Sequence, residues 1–204
     1  MSGVGIYMEG GGNGKDTKAA LRQGMEVFLA ELKNATRTRS WHWRVVCCGG
    51  RNQAYNAFIH ARNAGEMTVI VLLVDAEGPV NGAARAHLSA RDGWDLRAVD
   101  DDLVHLMVQT MEAWIAADPD KLARYYGQRF NRNALPKALN LEAVAKNDVG
   151  APLARATGKT RKGAYHKVRP AGDLLKQIAP PTVRQRCPSC DRMFARVGAR
   201  IAGP

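Results

Sequence analysis

Met67-Thr-Val-Ile-Val-Leu-Leu-Val-Asp75-Ala-Glu77-Gly78-Pro79 is the stretch that decides the fold. Seven of the eight residues from 67 to 74 are apolar, and many are β-branched. An unbroken apolar run that ends on Gly-Pro reads as a strand buried on both faces at the centre of a parallel sheet. A buried helix is the rival reading, but the run is short and rich in β-branching. Ligands of open α/β sheets bind at the carboxyl ends of such strands, and Asp75 and Glu77 stand at that end. Two carboxylates there suit a divalent cation such as Mg²⁺, which takes hard oxygen ligands. The plainer reading of Asp75 is a cap for the turn that follows.

Toward the N-terminus, a strand over 4–8 ends on Glu9 and runs into Gly10-Gly-Gly-Asn-Gly14-Lys15-Asp16. The glycine-rich run fails the phosphate-loop pattern GxxxxGK[ST], because Glu9 stands for the first glycine and Asp16 for the hydroxyl residue. The sharper reading is a strand-end carboxylate with glycines that permit close approach. Asp16 is expected to cap a helix over 17–33, with Leu21, Met25, Phe28, Leu29 and Leu32 on one face. A polar link over 35–40 leads to a second strand over 41–48, where Trp41 and Trp43 read as packing residues. A helix over 51–64 returns the chain to the central strand. The order β-α-β-α-β implies a parallel sheet with short connections. Glu9, Asp75 and Glu77 then share one edge of it.

Beyond the sheet centre, 103–108 reads as a fourth strand and 111–117 as a helix. Glu112 lies at the helix's positive end, near the same edge. Asp118-Pro119 stops that helix and starts another, which explains Asp118 as a cap. Residues 140–146 read as helix, with Glu142 and Lys146 at ion-pair spacing; a catalytic role for Lys146 is the sharper alternative. Gly158-Lys-Thr-Arg-Lys162-Gly-Ala-Tyr165-His-Lys167 is a cationic loop with an aromatic inside. Lys159, Arg161, Lys162 and Lys167 can track a phosphate backbone while Tyr165 stacks a base. A solvated loop is the bland alternative. Closing helices are expected over 171–178 and 182–197.

The 204 residues, 46% of them hydrophobic, suffice for one sizeable core with an appended lobe. Net charge is +11, and it is unevenly placed. Residues 1–120 carry 12 Lys/Arg against 15 Asp/Glu, net −3; residues 121–204 carry 18 against 4, net +14. We therefore divide the chain into an α/β core at 1–120 and a basic helical part at 121–204. A basic lobe beside an acidic edge fits an enzyme that grips a polyanion and uses metal on it. No apolar run reaches the ~20 residues of a membrane span. The first nine residues lack a basic region, so a cytoplasmic location is expected. Cys47 and Cys48 close an apolar run and read as core residues. Cys187-Pro-Ser-Cys190 is half a zinc motif with no second pair at ribbon spacing, so no stoichiometric zinc is expected.

A strand ending in Glu-Gly, two βα units, and a strand ending in Asp-x-Asp resembles the Toprim domain of topoisomerases, primases, recombination proteins and OLD-type nucleases. Glu9-Gly10 and Asp75-x-Glu77 match it, with Glu77 departing from the usual second Asp. Further stretches are similar to the uncharacterised bacterial family DUF4276: Met107-Val-Gln109-Thr-Met-Glu112-Ala-Trp114-Ile-Ala-Ala-Asp118-Pro119-Asp120, Tyr125-Tyr126-Gly127, Glu142-x-x-x-Lys146-x-Asp148 and Lys162-Gly-x-Tyr165-x-Lys167. This likeness runs from about Gly5 to Phe194. It implies a Toprim-like fold and, from the neighbourhoods of family members, phage defence beside an ATPase.

The resulting expectation is an α/β Toprim-like parallel sheet with helices on both faces and a helical, basic C-terminal part. The expected activity is an Mg²⁺- or Mn²⁺-dependent nuclease or related phosphodiester-cleaving enzyme acting on DNA or RNA. Glu9, Asp75 and Glu77 would hold metal, Glu112 would join them, and Lys146 or Lys167 would offset phosphate charge. Two alternatives stay open. One is a non-catalytic subunit that binds nucleic acid or an ATPase; the other is a hydrolase of small phosphates.

Overall fold

The computed structural model describes residues 1–166 and 170–203. Its strands are β1 (Gly3–Glu9), β2 (His42–Gly49), β3 (Val69–Asp75) and β4 (Val104–Met107). The helices are α1 (Lys15–Phe28), α2 (Ala30–Thr38), α3 (Arg51–Asn63), α4 (Ala84–Asp92) and α5 (Met111–Ala116). They continue with α6 (Pro119–Tyr126), α7 (Lys146–Thr157), α8 (Pro170–Leu175), α9 (Pro180–Arg186) and α10 (Pro188–Ala202). The strands form one parallel sheet in the order β2-β1-β3-β4. The chain is therefore an α/β protein with helices on both faces of the sheet.

The central strand behaves as its composition dictates. Every residue of β3 is buried, and its two sides feed two separate cores. Val69, Val71 and Leu73 join Val4, Ile6 and Met8 of β1 under α1, α2, α5 and the C-terminal helices. Ile70, Leu72 and Val74 join Tyr7 under α3 and α4, against Phe58 and Leu88. The first core runs without interruption from Val4 to Ile201 and takes side chains from α7, α8, α9 and α10. Phe28 stacks on Trp114 with ring centroids 5.4 Å apart, which ties α1 to α5 at its centre. Gly24 and Gly172 let α1 and α8 cross backbone to backbone, since a Cβ on Gly24 would sit 2.3 Å from the Gly172 carbonyl oxygen.

Several expected elements differ. The helix expected over 17–33 breaks at Leu29 (φ −93°, ψ 21°), and its continuation reaches Thr38, so the polar link is mostly helix. Asp16 lies in the first turn of α1, whose N-cap is Gly14. The helix expected over 140–146 is a short 3₁₀ turn, Leu141–Ala143, and Lys146 instead opens α7. Glu142 therefore does not pair with Lys146. Its carboxylate accepts from the Ser189 N–H (2.7 Å) and Oγ (2.9 Å) at the start of α10, and burial pushes its pKa up. The last helix is divided at Cys187. Asp118 does cap α6, accepting from Lys121 N–H at 3.1 Å, and also holds Ala179 N–H at 2.9 Å. Among the described residues no helix is long and apolar enough to cross a membrane.

Candidate functional site

In the order β2-β1-β3-β4, β1 leads to α1 on one face while β3 leads to α4 on the other. The chain thus departs in opposite directions between β1 and β3, and a crevice opens at their carboxyl ends. Glu9 ends β1 and Asp75 ends β3. The register slips between Met8 and Glu9, leaving Cys48 unmatched, a bulge of the kind that re-aims a side chain at a sheet end. Gly10 then turns at φ +123° and exchanges two backbone hydrogen bonds with Gly49. A Cβ there would strike Leu21 of α1 at 2.7 Å, so the position suits glycine.

One carboxylate oxygen from each of Glu9, Asp75 and Glu77 lies within 4.8 Å of the other two. Each is held by a network of bonds. The Glu9 carboxylate accepts from Asp75 N–H (3.2 Å) and from Arg51 (3.1 Å). Asp75 Oδ1 accepts from Met111 N–H at 2.8 Å, at the start of α5. Glu77 sits at φ +63°, a left-handed conformation that costs a glutamate on the order of 1–3 kcal/mol. Its N–H bonds to the Gln109 carbonyl at 2.7 Å, which fixes this turn. Lys146 Nζ reaches Glu77 Oε2 at 2.6 Å, and Lys146 N–H donates to Gln109 Oε1 at 3.1 Å. Strained backbone of this kind persists where the surroundings over-determine it, and such positions concentrate at functional sites.

Beside the carboxylates lies a cavity of about 490 Å³ lined by Glu77, Thr110, Glu112, Lys146, Tyr165 and His166. Glu112 is buried and accepts from the Tyr165 hydroxyl at 3.2 Å. It walls this cavity but is not one of the three clustered carboxylates. Tyr165 corrects a sequence expectation. The residue is 6% exposed and its N–H is tied to Thr157 Oγ1 at 2.7 Å, so it packs inside as part of the cavity wall rather than standing out on an open loop. Burial and the Glu112 carboxylate push its phenol well above the usual range, keeping the proton on the oxygen as donor.

The first half of the cationic loop faces elsewhere, while Tyr165 and His166 line the cavity beside the carboxylates. Lys159, Arg161 and Lys162 join Arg129, Gln128 and Tyr126 around a separate open groove of about 730 Å³. The Lys162 ammonium rests 4.5 Å from the Tyr125 ring centroid. Lys167 lies outside the described residues.

Arg51 is a site residue absent from the sequence expectation. Its guanidinium bridges the ends of β1 and β3, donating to Glu9, to the Asp75 carbonyl at 2.8 Å and to Asp92 through two bonds of 2.9 and 2.8 Å. The signal available was an arginine opening a helix straight after Gly49-Gly50, at the strand end neighbouring Glu9. Cys187 and Cys190 are fully buried in the larger core. Burial pushes the Cys187 thiol up to about 12 and that of Cys190 well above its ordinary value.

The fold and site define a parallel α/β protein with a carboxylate cluster at its topological switch point. The model of the family described as "Domain of unknown function (DUF4276)" matches residues 8–198, and the chain belongs to that family. No curated protein and no solved structure matches the chain.

Proposed function

We propose that the protein is a divalent-metal-dependent phosphodiesterase of Toprim type, a nuclease acting on DNA or RNA. The observation that carries this reading is the convergence of Glu9, Asp75 and Glu77 within 4.8 Å at the switch point. The donor set is all carboxylate oxygen, which matches Mg²⁺ or Mn²⁺ rather than softer ions. With ligand bonds of about 2.1 Å, two oxygens on one ion stand at most ~4.2 Å apart. The observed spread needs only a small contraction. A divalent ion there supplies Lewis acidity toward a phosphoryl oxygen and offsets its charge.

The chain's own groups complete the arrangement. Arg51 donates to the Glu9 carboxylate and Met111 N–H to Asp75 Oδ1, bonds that orient both carboxylates. Lys146 stands at the cavity mouth, its side chain 42% exposed, where it can leave Glu77 and meet a phosphate. The groove of Arg129, Lys159, Arg161 and Lys162 offers a second grip on a polyanion.

A second reading has its own support. Glu9 pairs with Arg51 and Glu77 with Lys146, so protein cations already neutralise part of the cluster. That pattern suits a non-catalytic subunit that docks on nucleic acid or an ATPase. Incubating the purified protein with labelled single- and double-stranded DNA and RNA, with Mg²⁺, Mn²⁺ or EDTA, separates the two. The enzyme reading expects metal-dependent cleavage that Asp75→Asn abolishes. The subunit reading expects binding without cleavage.

A further inference from the structure

Residues 1–120 carry net −3, yet half of their basic side chains gather in one place. Two adjoining grooves follow the junction of α1 with the edge strand β2, and Arg22 lines both. Lys15, Lys18 and Arg44 line the groove nearer the Glu9 end of the sheet. Lys33, Arg37, Trp41, Trp43 and Lys176 line the groove at the other end. The one carboxylate on these walls is Glu26, which Lys33 occupies at 2.5 Å. Among the described residues no carboxylate pairs with Lys15, Lys18, Arg22 or Arg37.

Edge strands commonly carry charge to block pairing with other chains, and Arg44 fits that role, bonded to Glu66 and the Tyr7 hydroxyl. Edge protection does not account for Lys15, Lys18 and Arg22, which stand on α1 rather than on the strand. Spaced at i, i+3 and i+7, they form one row over two helical turns, roughly 10 Å long. At the far end the Arg39 guanidinium lies 4.9 Å from the Trp41 ring centroid, an aromatic–cation platform. A row of cations leading to aromatics is the chemistry that holds a single nucleic-acid strand, phosphates on the row and bases on the rings.

We propose that the groove between α1 and β2 binds a single strand of nucleic acid and leads it toward the Glu9 end of the sheet. The destination rests on the phosphodiesterase reading; the binding does not. The test is fluorescence anisotropy of labelled dT12 and rU12 oligonucleotides in EDTA, where no metal-dependent cleavage occurs, with tryptophan emission read in parallel. The wild-type protein binds one or both with quenched tryptophan emission and prefers them to a duplex of equal length. Combined Lys18→Ala, Arg22→Ala and Arg37→Ala weakens binding at least tenfold and lowers the salt slope by about 2, at ~0.7 for each phosphate neutralised. Trp41→Ala removes part of the quench. Unchanged affinity and slope in the triple variant, absence of binding, or equal binding of duplex would each overturn the proposal. Groove-dependent binding without cleavage under any metal condition upholds the groove and refutes the phosphodiesterase reading instead.

Discussion

Lys146 Nζ lies 2.6 Å from Glu77 Oε2, joining the first residue of α7 to a turn 69 positions earlier in the chain. The ammonium pairs with one member of the carboxylate cluster and also lines the adjoining cavity. Under the proposed function it would compete with a metal ion for Glu77 and be placed to meet a phosphate. Lys146→Met is expected to tighten Mn²⁺ binding and to slow cleavage by about 10²-fold. Calorimetry and single-turnover cleavage on the same samples measure both. Cleavage at the wild-type rate would reduce this lysine to a surface ion-pair partner.

The groove around Arg129 gives a second expectation. Replacing Lys159, Arg161 and Lys162 together by Ala should lower the salt slope of nucleic-acid binding by roughly 0.7–0.9 for each phosphate they neutralise. Mn²⁺ affinity should not move, because these residues line a different groove from the carboxylates. A salt series of binding titrations on both proteins decides it; an unchanged slope removes this loop from the interface.

His105 predicts a pH dependence of stability. It is buried, bonded to the Asp102 carbonyl at 3.0 Å and close to Arg192. Desolvation first, then the Arg192 charge, depress its pKa to about 3. The unfolded chain takes up a proton near pH 6.5 that the folded chain refuses. The stabilisation is therefore fully present above about 6.5 and is lost as pH falls toward 3, at up to about 1.4 kcal/mol per pH unit. Urea midpoints of the wild type should drop more steeply from pH 6.5 to 4.5 than those of His105→Gln. Parallel profiles would count against it.

Cys187 and Cys190 give a prediction on stability. A CxxC without a partner pair suggests that joint replacement by Ser would melt nearly as wild type. Both are fully buried beside apolar neighbours, and a serine hydroxyl there costs about 1–3 kcal/mol if it lacks a partner. The double variant should fold with a clearly lower urea midpoint, and the native thiols should resist alkylation until the protein unfolds. Elemental analysis is expected to find no stoichiometric zinc, whose removal would otherwise cost about 10 kcal/mol. One zinc per chain would overturn this view of the pair.

What the sequence made legible follows from periodicity. β3 is a pure apolar run, and residues 67–78 announced both its burial and its carboxylate end. α1 and α3 show their buried faces at helical spacing. α7 was hidden because Gly150 and Pro152 lie inside it, residues that ordinarily interrupt helices. α4 buries only Leu88 and so shows no apolar stripe. The break at Leu29 has no glycine or proline to mark it. At the site, the carboxylates were readable as strand ends, whereas Arg51, Lys146 against Glu77 and the inward turn of Tyr165 depend on contacts between distant parts of the chain. Local pattern carries no information on those.

The functional reading stands or falls on whether Glu9, Asp75 and Glu77 hold a divalent ion. Calorimetric titration of Mn²⁺ into the wild type, Asp75→Asn and Glu77→Gln decides this, with circular dichroism to verify folding. The wild type should show a saturable site that disappears or weakens at least tenfold in both folded variants. Equal Mn²⁺ binding in all three proteins, or none in the wild type, would refute the assignment.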